Sequence, residues 1–207
     1  MYVPPHFKFA DQAEQVAFMR DYLFALVVSV GPDGAPVASH LPFVVEEDAT
    51  GGVVLLAHFA KNNPQWQYLE NQTTLVVFSE PHAYVSPGWY AKEQNVPTWN
   101  YVAVHAYGKA TLIQDEADVL ALLEKQIHTY EQAYAAQWER LSEGYKKAMI
   151  QGIVAFSIAV ERLEGKRKLS QNKSLADQQN VMAHLLENTD ASARTIGRMM
   201  EEGISDL

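Results

Sequence analysis

The sequence predicts an α+β protein that is mainly β: an antiparallel barrel with helices placed late in the chain. Three observations carry this reading. Short apolar segments of alternating pattern follow one another through turns rich in glycine and proline, which favours hairpins over βαβ units. One stretch, 98–113, reads as a long strand whose two faces differ in composition. The pattern then changes to helical period over 115–141 and returns to strand at Ile153–Val160.

Residues 11–22 open the regular structure as a helix, with Asp11 as N-cap and Val16, Met19, Tyr22 and Leu23 at helical spacing. A strand follows at Ala25–Val30. Gly31-Pro32-Asp33-Gly34 makes a turn, because proline fixes φ and glycine permits a positive one. Val37–Val45 reads as the second strand of a hairpin, Gly51-Gly52 as the next turn and Val53–Phe59 as a third strand. Asn63 caps and Pro64 starts a short helix that carries Trp66 and Leu69. Thr73–Ser79 is a fourth strand, and 80–97 is irregular. Thr98–Ile113 is the fifth strand, and its two faces differ. Val102, Val104, Ala106, Ala110 and Leu112 point inward; Trp99, Tyr101, His105, Tyr107 and Lys109 point outward. An outward face of that composition calls for a subunit interface, a ligand, or both.

Over 115–141, Val119, Leu123, Ile127, Tyr130, Tyr134, Trp138 and Leu141 form one apolar stripe, the mark of a long helix inserted before the last strand. In the strand Ile153–Val160, Val154, Phe156, Ile158 and Val160 alternate with smaller residues. Ser174 and Asp177 make a capping box for a helix ending near Glu187, and a last helix spans 191–202. The chain thus divides as a single domain, 1–207. Residues 1–113 hold most of the barrel, 114–150 a helical insertion, 151–173 the final strand and a basic loop, and 174–207 the C-terminal helices.

Composition narrows the chemistry. With 48% hydrophobic residues, the 207-residue chain can bury a sizeable core. The absence of cysteine excludes disulfides, thiolate metal sites and a cysteine nucleophile, and it suits a reducing compartment. The N-terminus Met-Tyr-Val-Pro-Pro-His lacks the basic and apolar regions of a secretory signal, and runs such as Leu23–Val30 are too short to span a membrane. A cytoplasmic protein without membrane association is expected. The net charge of −9 opposes contact with nucleic-acid phosphates, although Arg162, Lys166, Arg167, Lys168 and Lys173 cluster in one stretch. No P-loop, Gly-rich dinucleotide fingerprint, zinc motif or nucleophile elbow is present, and the seven histidines lack metal-ligand spacing, so no metal site is expected.

Four polar clusters at strand ends stand out. Ser39-His40-Leu41-Pro42-Phe43 places a proline in mid-strand, which marks an edge or bulge with free backbone groups; a purely structural edge gives the same pattern. His58-Phe59-Ala60-Lys61-Asn62-Asn63-Pro64 sets a cation where a helix begins, as a phosphate requires, and an ordinary capped helix start reads alike. The aromatics of 84–90 and 96–101 suit a planar ring or plain core packing. Residues 166–173 are rich in donors, as an anion site or a solvated basic loop is.

In this order the clusters resemble a known family. Met1-Tyr2-Val3-Pro4 with Phe7, Ser39-His40-Leu41-Pro42-Phe43, Asn63-Pro64-Gln65-Trp66, Ala83-Tyr84-Val85-Ser86-Pro87 with Trp89-Tyr90, Val96-Pro97-Thr98-Trp99-Asn100-Tyr101, Val104-His105 and Lys168-Leu169-Ser170-Gln171-Asn172 are similar to the PaiB-type FMN-binding negative transcriptional regulators. The resemblance implies an FMN-binding split β-barrel related to pyridoxamine-phosphate oxidase, working as a homodimer with FMN between subunits. It implies that Ser39 and His40 line the strand facing the flavin ring and that His58, Lys61 and Asn63 approach the phosphate or ribityl chain. Trp99, Asn100, Lys168 and Gln171 would complete the site. Lys61 and Lys173 stand where the family has Arg, which keeps charge but loses the planar fork, and Glu80 replaces an expected Gly. Two other functions fit such barrels: an FMN-dependent oxidoreductase acting on a small molecule, and a haem protein with His6, His40, His58 or His105 as axial ligand. The charge and the lack of a helix-turn-helix pattern argue against direct operator binding.

Overall fold

The computed structural model describes residues 1–205, so the expected C-terminal region 174–207 ends two residues outside them. The chain opens with β1 (Lys8–Phe9), α1 (Gln12–Asp21), β2 (Phe24–Val30), β3 (Pro36–Pro42), β4 (Val44–Glu47) and β5 (Val53–Ala60). After a 3-10 turn at Pro64–Tyr68 come β6 (Thr73–Phe78), β7 (His82–Val85) and β8 (Thr98–Ile113). The helices α2 (Glu116–Tyr130), α3 (Ala135–Arg140) and α4 (Glu143–Ile150) then precede β9 (Ile153–Lys168), α5 (Leu175–Leu186) and α6 (Ala191–Ser205). The described strands form one sheet in the order β3-β2-β6-β8-β9-β5-β4, with β1 beside β9 and β7 beside β8. Each registered pair is antiparallel, as hairpin connections require.

The chain makes two compact units. The larger holds Val16–Phe78 and His105–Leu163; the smaller holds Met1–Gln15, Ser79–Val104 and the residues from Glu164 on. In the larger unit Phe43, Phe59, Phe78 and Phe156 are fully buried. Phe59 stacks on Phe156 at 5.1 Å, and Phe43 meets the edge of Phe156 at 6.2 Å. The opposite face of β5 carries Leu56, which packs with Val44 and Ala155 against Val119 and Leu122 of α2 and Ile150 of α4. Burying this second face is what the helical insertion contributes. In the smaller unit Val181, Leu185, Ile196 and Met200 close α5 on α6.

Four expectations are corrected. The strand expected at Val37–Val45 is two strands: Pro42 has no N–H to donate, the Phe43 N–H turns to the Leu23 carbonyl at 2.9 Å, and the chain passes from β2 to β5 as partner. The long helix expected over 115–141 breaks at Glu131 (φ −154°, ψ 75°) into α2, a 3-10 turn and α3. Val119 near the start of its stripe and Trp138 near the end are buried, while Tyr130 between them is half exposed. The basic loop is mostly strand, because β9 runs on to Lys168. There it has β8 as a neighbour and also meets β1, which pairs Lys8 with Lys166 and Phe9 with Gly165. Gly165 is needed there, since a Cβ would meet the Phe9 carbonyl and Gln15. The stretch 80–97 is also more regular than expected, for it contains β7 and a 3-10 turn at Pro87–Trp89.

Candidate functional site

The nine residues singled out from the sequence divide between the two units, with Ser39, His40, His58, Lys61 and Asn63 in the larger one. Within it, Ser39 and Asn63 meet around Gln65, which is fully buried. The Ser39 hydroxyl donates to Gln65 Oε1 at 2.6 Å and accepts from Asn63 Nδ2 at 2.9 Å. Gln65 Nε2 donates toward the Val27 and Val37 carbonyls at 3.1 and 3.0 Å and toward the Ser29 hydroxyl. The Asn63 side chain takes the Gln65 backbone N–H at 3.0 Å. This network fastens the 3-10 turn to the β2–β3 hairpin and consumes the donors that a ligand was expected to use. The helix-start phosphate cradle is likewise absent: the element is one 3-10 turn of five residues, and its cap is filled.

Adjacent strand residues face opposite ways. Ser39 turns to Gln65, whereas His40 lies exposed and stacked on Phe24 at 5.9 Å, so their side chains cannot both meet one ring. His58 shares its face of β5 with Leu56, the face that α2 covers, and burial pushes its imidazole pKa down. Lys61 is exposed, and among the described residues its ammonium makes no ion pair. It lines a cavity of about 300 Å³ with Trp66, whose indole N–H donates to the Lys61 carbonyl.

The smaller unit holds Trp99, Asn100, Lys168 and Gln171. Trp99 is 52% exposed, with the Tyr84 ring edge-on at 5.8 Å and His82 at 5.8 Å. Asn100 is buried: its amide exchanges hydrogen bonds with the Ser170 hydroxyl at 3.0 and 3.2 Å and reaches Met200 Sδ. It positions Ser170. Gln171 folds back on its own turn, accepting from Leu169 N–H and donating to the Arg167 carbonyl. Lys168 donates to Thr98 Oγ1 at 2.6 Å and to the Trp99 carbonyl. Burial lowers the Lys168 pKa, and the charges of Lys166 and Lys173 lower it further.

Two residues that carry this geometry, Gln65 and Tyr90, were given no role by the sequence, although both lie inside quoted motifs. Tyr90 is 7% exposed, and burial pushes its phenol pKa up. Its hydroxyl faces Ser170, whose own bonds go to Asn100, and ends without a hydrogen-bonding partner. For FMN the donor set fits: Lys61 offers a free cation to a phosphate, and the Trp99 cluster offers aromatic cover to a planar ring.

A family model described as "Putative FMN-binding domain" matches residues 1–162. The protease synthase and sporulation protein PAI 2 of Bacillus subtilis is 36% identical over 208 residues, covering 98% of this chain and 97% of that protein. The flavocytochrome Anf3 of Azotobacter vinelandii superposes with a TM-score of 0.63 at 22% identity, covering 81% of this chain and 72% of that one. The FAD and heme binding protein of Mycobacterium smegmatis gives 0.59 at 18% identity, over 82% and 77%. The last two show a shared fold, the split barrel that the sequence predicts. With the model over most of its length and a full-length relative at that identity, the chain belongs to the FMN-binding domain family of PaiB type, with FMN as its cofactor.

Proposed function

We propose that the protein is a homodimer that holds FMN where two copies meet, and that it acts as a negative regulator of PaiB type through the bound flavin. The exposed aromatic cluster of Trp99, Tyr84 and His82 carries the reading. Aromatics gathered on a strand face are typical of interface cores and of flat ligands, and a lone copy leaves them in water. In this reading Lys61 faces the phosphate and Trp99 covers the ring from the second copy. Ser39 and Asn63 act through Gln65 by holding the β3 backbone in place. Bound FMN supplies one- and two-electron redox chemistry, which suits a sensor as well as an oxidoreductase.

A haem reading has one observation in its favour: His58 and His105 both have Nδ1 without a partner, and burial keeps both imidazoles toward the neutral, ligating form. Sedimentation with absorbance detection tests all of this together. The 23.2 kDa chain should sediment at about twice its mass, with one flavin per chain. A monomer carrying flavin at full occupancy overturns the interface, and a Soret band in place of the flavin bands favours haem.

A further inference from the structure

FMN has one phosphate, and Lys61 stands ready for it within the matched stretch 1–162. A second cationic place lies beyond residue 162, in the smaller unit, where Lys166, Lys168 and Lys173 converge. Among the described residues none of the three forms an ion pair. Lys166 is nine-tenths buried and donates to the Tyr2 carbonyl; Lys173 donates to Asn95 Oδ1 at 2.8 Å and lies 4.4 Å above the Tyr90 ring. Asp177 feels the Lys173 charge but spends its carboxylate on Ala91 N–H and Ser174. Beside Lys168 and Lys173 is a cavity of about 180 Å³, and its wall includes Phe7, Tyr90, Val96 and Ser170.

Three features make this a built site. Ser170 holds φ of +67°, a left-handed conformation rare outside glycine, and its hydroxyl is locked by buried Asn100. Tyr90, whose buried hydroxyl has no hydrogen-bonding partner, is one of the residues of the cavity wall. Lys168 uses two of its three N–H donors on protein oxygens, which leaves one. We propose that this cavity binds a small organic anion, separate from the flavin. Its carboxylate or phosphate lies against Lys168, Lys173 and the Tyr90 hydroxyl, and its apolar body rests on Phe7 and Val96. Such an anion relieves the repulsion among three unneutralised ammonium groups and satisfies the phenol.

Calorimetric titration of the FMN-loaded protein, in a buffer free of both ions, tests this with benzoate in one arm and inorganic phosphate in the other. One probe should bind at one site per chain; tighter benzoate assigns a carboxylic acid and tighter phosphate assigns a phosphate ester. Lys168→Met should weaken that binding about tenfold or more, and the isosteric Tyr90→Phe severalfold, with flavin content unchanged in both. Absence of binding by either probe overturns the site, as does wild-type affinity in both variants. Loss of FMN from Lys168→Met overturns the separation and returns Lys168 to the flavin phosphate.

Discussion

Replacing Gln65 by leucine should be among the most damaging single changes in the larger unit. The Gln65 carboxamide is fully buried, accepts from Ser39, and has two N–H groups shared among the Val27 and Val37 carbonyls and the Ser29 hydroxyl. Leucine fills similar volume, so the cost is polar: three effective hydrogen bonds are lost, and the groups left behind are partly or wholly out of water. Each such loss costs ~1 kcal/mol, more where a partner remains unpaired, which gives ~3–4 kcal/mol after relaxation of the Ser39 hydroxyl. That is a large share of the ~5–15 kcal/mol available to a domain. The measurement is urea unfolding of the apoprotein at one fixed protein concentration, so that neither FMN nor dimer mass action contributes. With a slope of ~2 kcal/mol/M, the midpoint should fall by ~1.5–2 M at unchanged slope, against ~0.5 M for Ser39→Ala. A Gln65→Leu midpoint within ~0.5 M of wild type would refute the network as the fastener of the 3-10 turn.

Lys61→Ala should raise the FMN dissociation constant ~ten- to a hundredfold, as loss of a charge-assisted phosphate contact does, with the apoprotein melting as wild type; an unchanged constant by flavin fluorescence titration moves the phosphate elsewhere. Gly108→Ala drives a Cβ into the Ala159 carbonyl and to 2.8 Å from Ile158 Cγ2. Backbone cannot yield there without parting strands, so a melting point lowered by ~6 °C or more is expected. Stability should fall with acid below pH 6.5. Burial depresses the folded-state pKa of His58 and His105 below the ordinary imidazole value of 6.5, so the unfolded chain takes up protons first as pH falls through that value. His58→Gln should flatten the loss of melting temperature between pH 7.5 and 5.5, and an identical slope removes His58 from the cause. Gel-shift titration with genomic fragments at physiological salt should give no nanomolar, sequence-dependent complex, with or without FMN; such a complex restores a literal repressor.

What the sequence disclosed is what its local physics decides. The expected bounds Thr98–Ile113 match the strand, because its two faces differ along most of its length and Pro97 marks its start. The Ser174 cap on Asp177 N–H was legible because three residues suffice to specify it. The misses are non-local. Steps of four from Tyr130 to Tyr134 and Trp138 persist across the Glu131 break, so periodicity alone could not see it. The second half of β9 looks solvated by composition. It is a strand that has β8 as a neighbour and also meets a two-residue partner, far away in sequence, which lays Phe9 under Arg167 at 4.0 Å. Gln65 took no role from the sequence because its partners, Val27, Ser29, Val37 and Ser39, come from two strands distant in the chain.

The same non-local placement bears on regulation. A chain of net charge −9 can grip a nucleic-acid backbone only with cations that are concentrated and free. Its cations are concentrated, but most are occupied. Arg162 lies 3.7 Å above Tyr107, Arg167 covers Phe9 and pairs with Glu14, and Lys166 is buried beneath Tyr2. Arg194, one of the two arginines on α6, donates to the Asn188 and Thr189 carbonyls. Taking these groups to phosphates means abandoning the rings and carbonyls they now contact, at a cost that operator contacts must first offset. Three further cations, Lys61, Lys168 and Lys173, stand beside cavities of a few hundred Å³, the scale of small ligands and not of a groove. That distribution favours control exerted through what the protein binds, the flavin and a small anion, over control exerted by covering DNA.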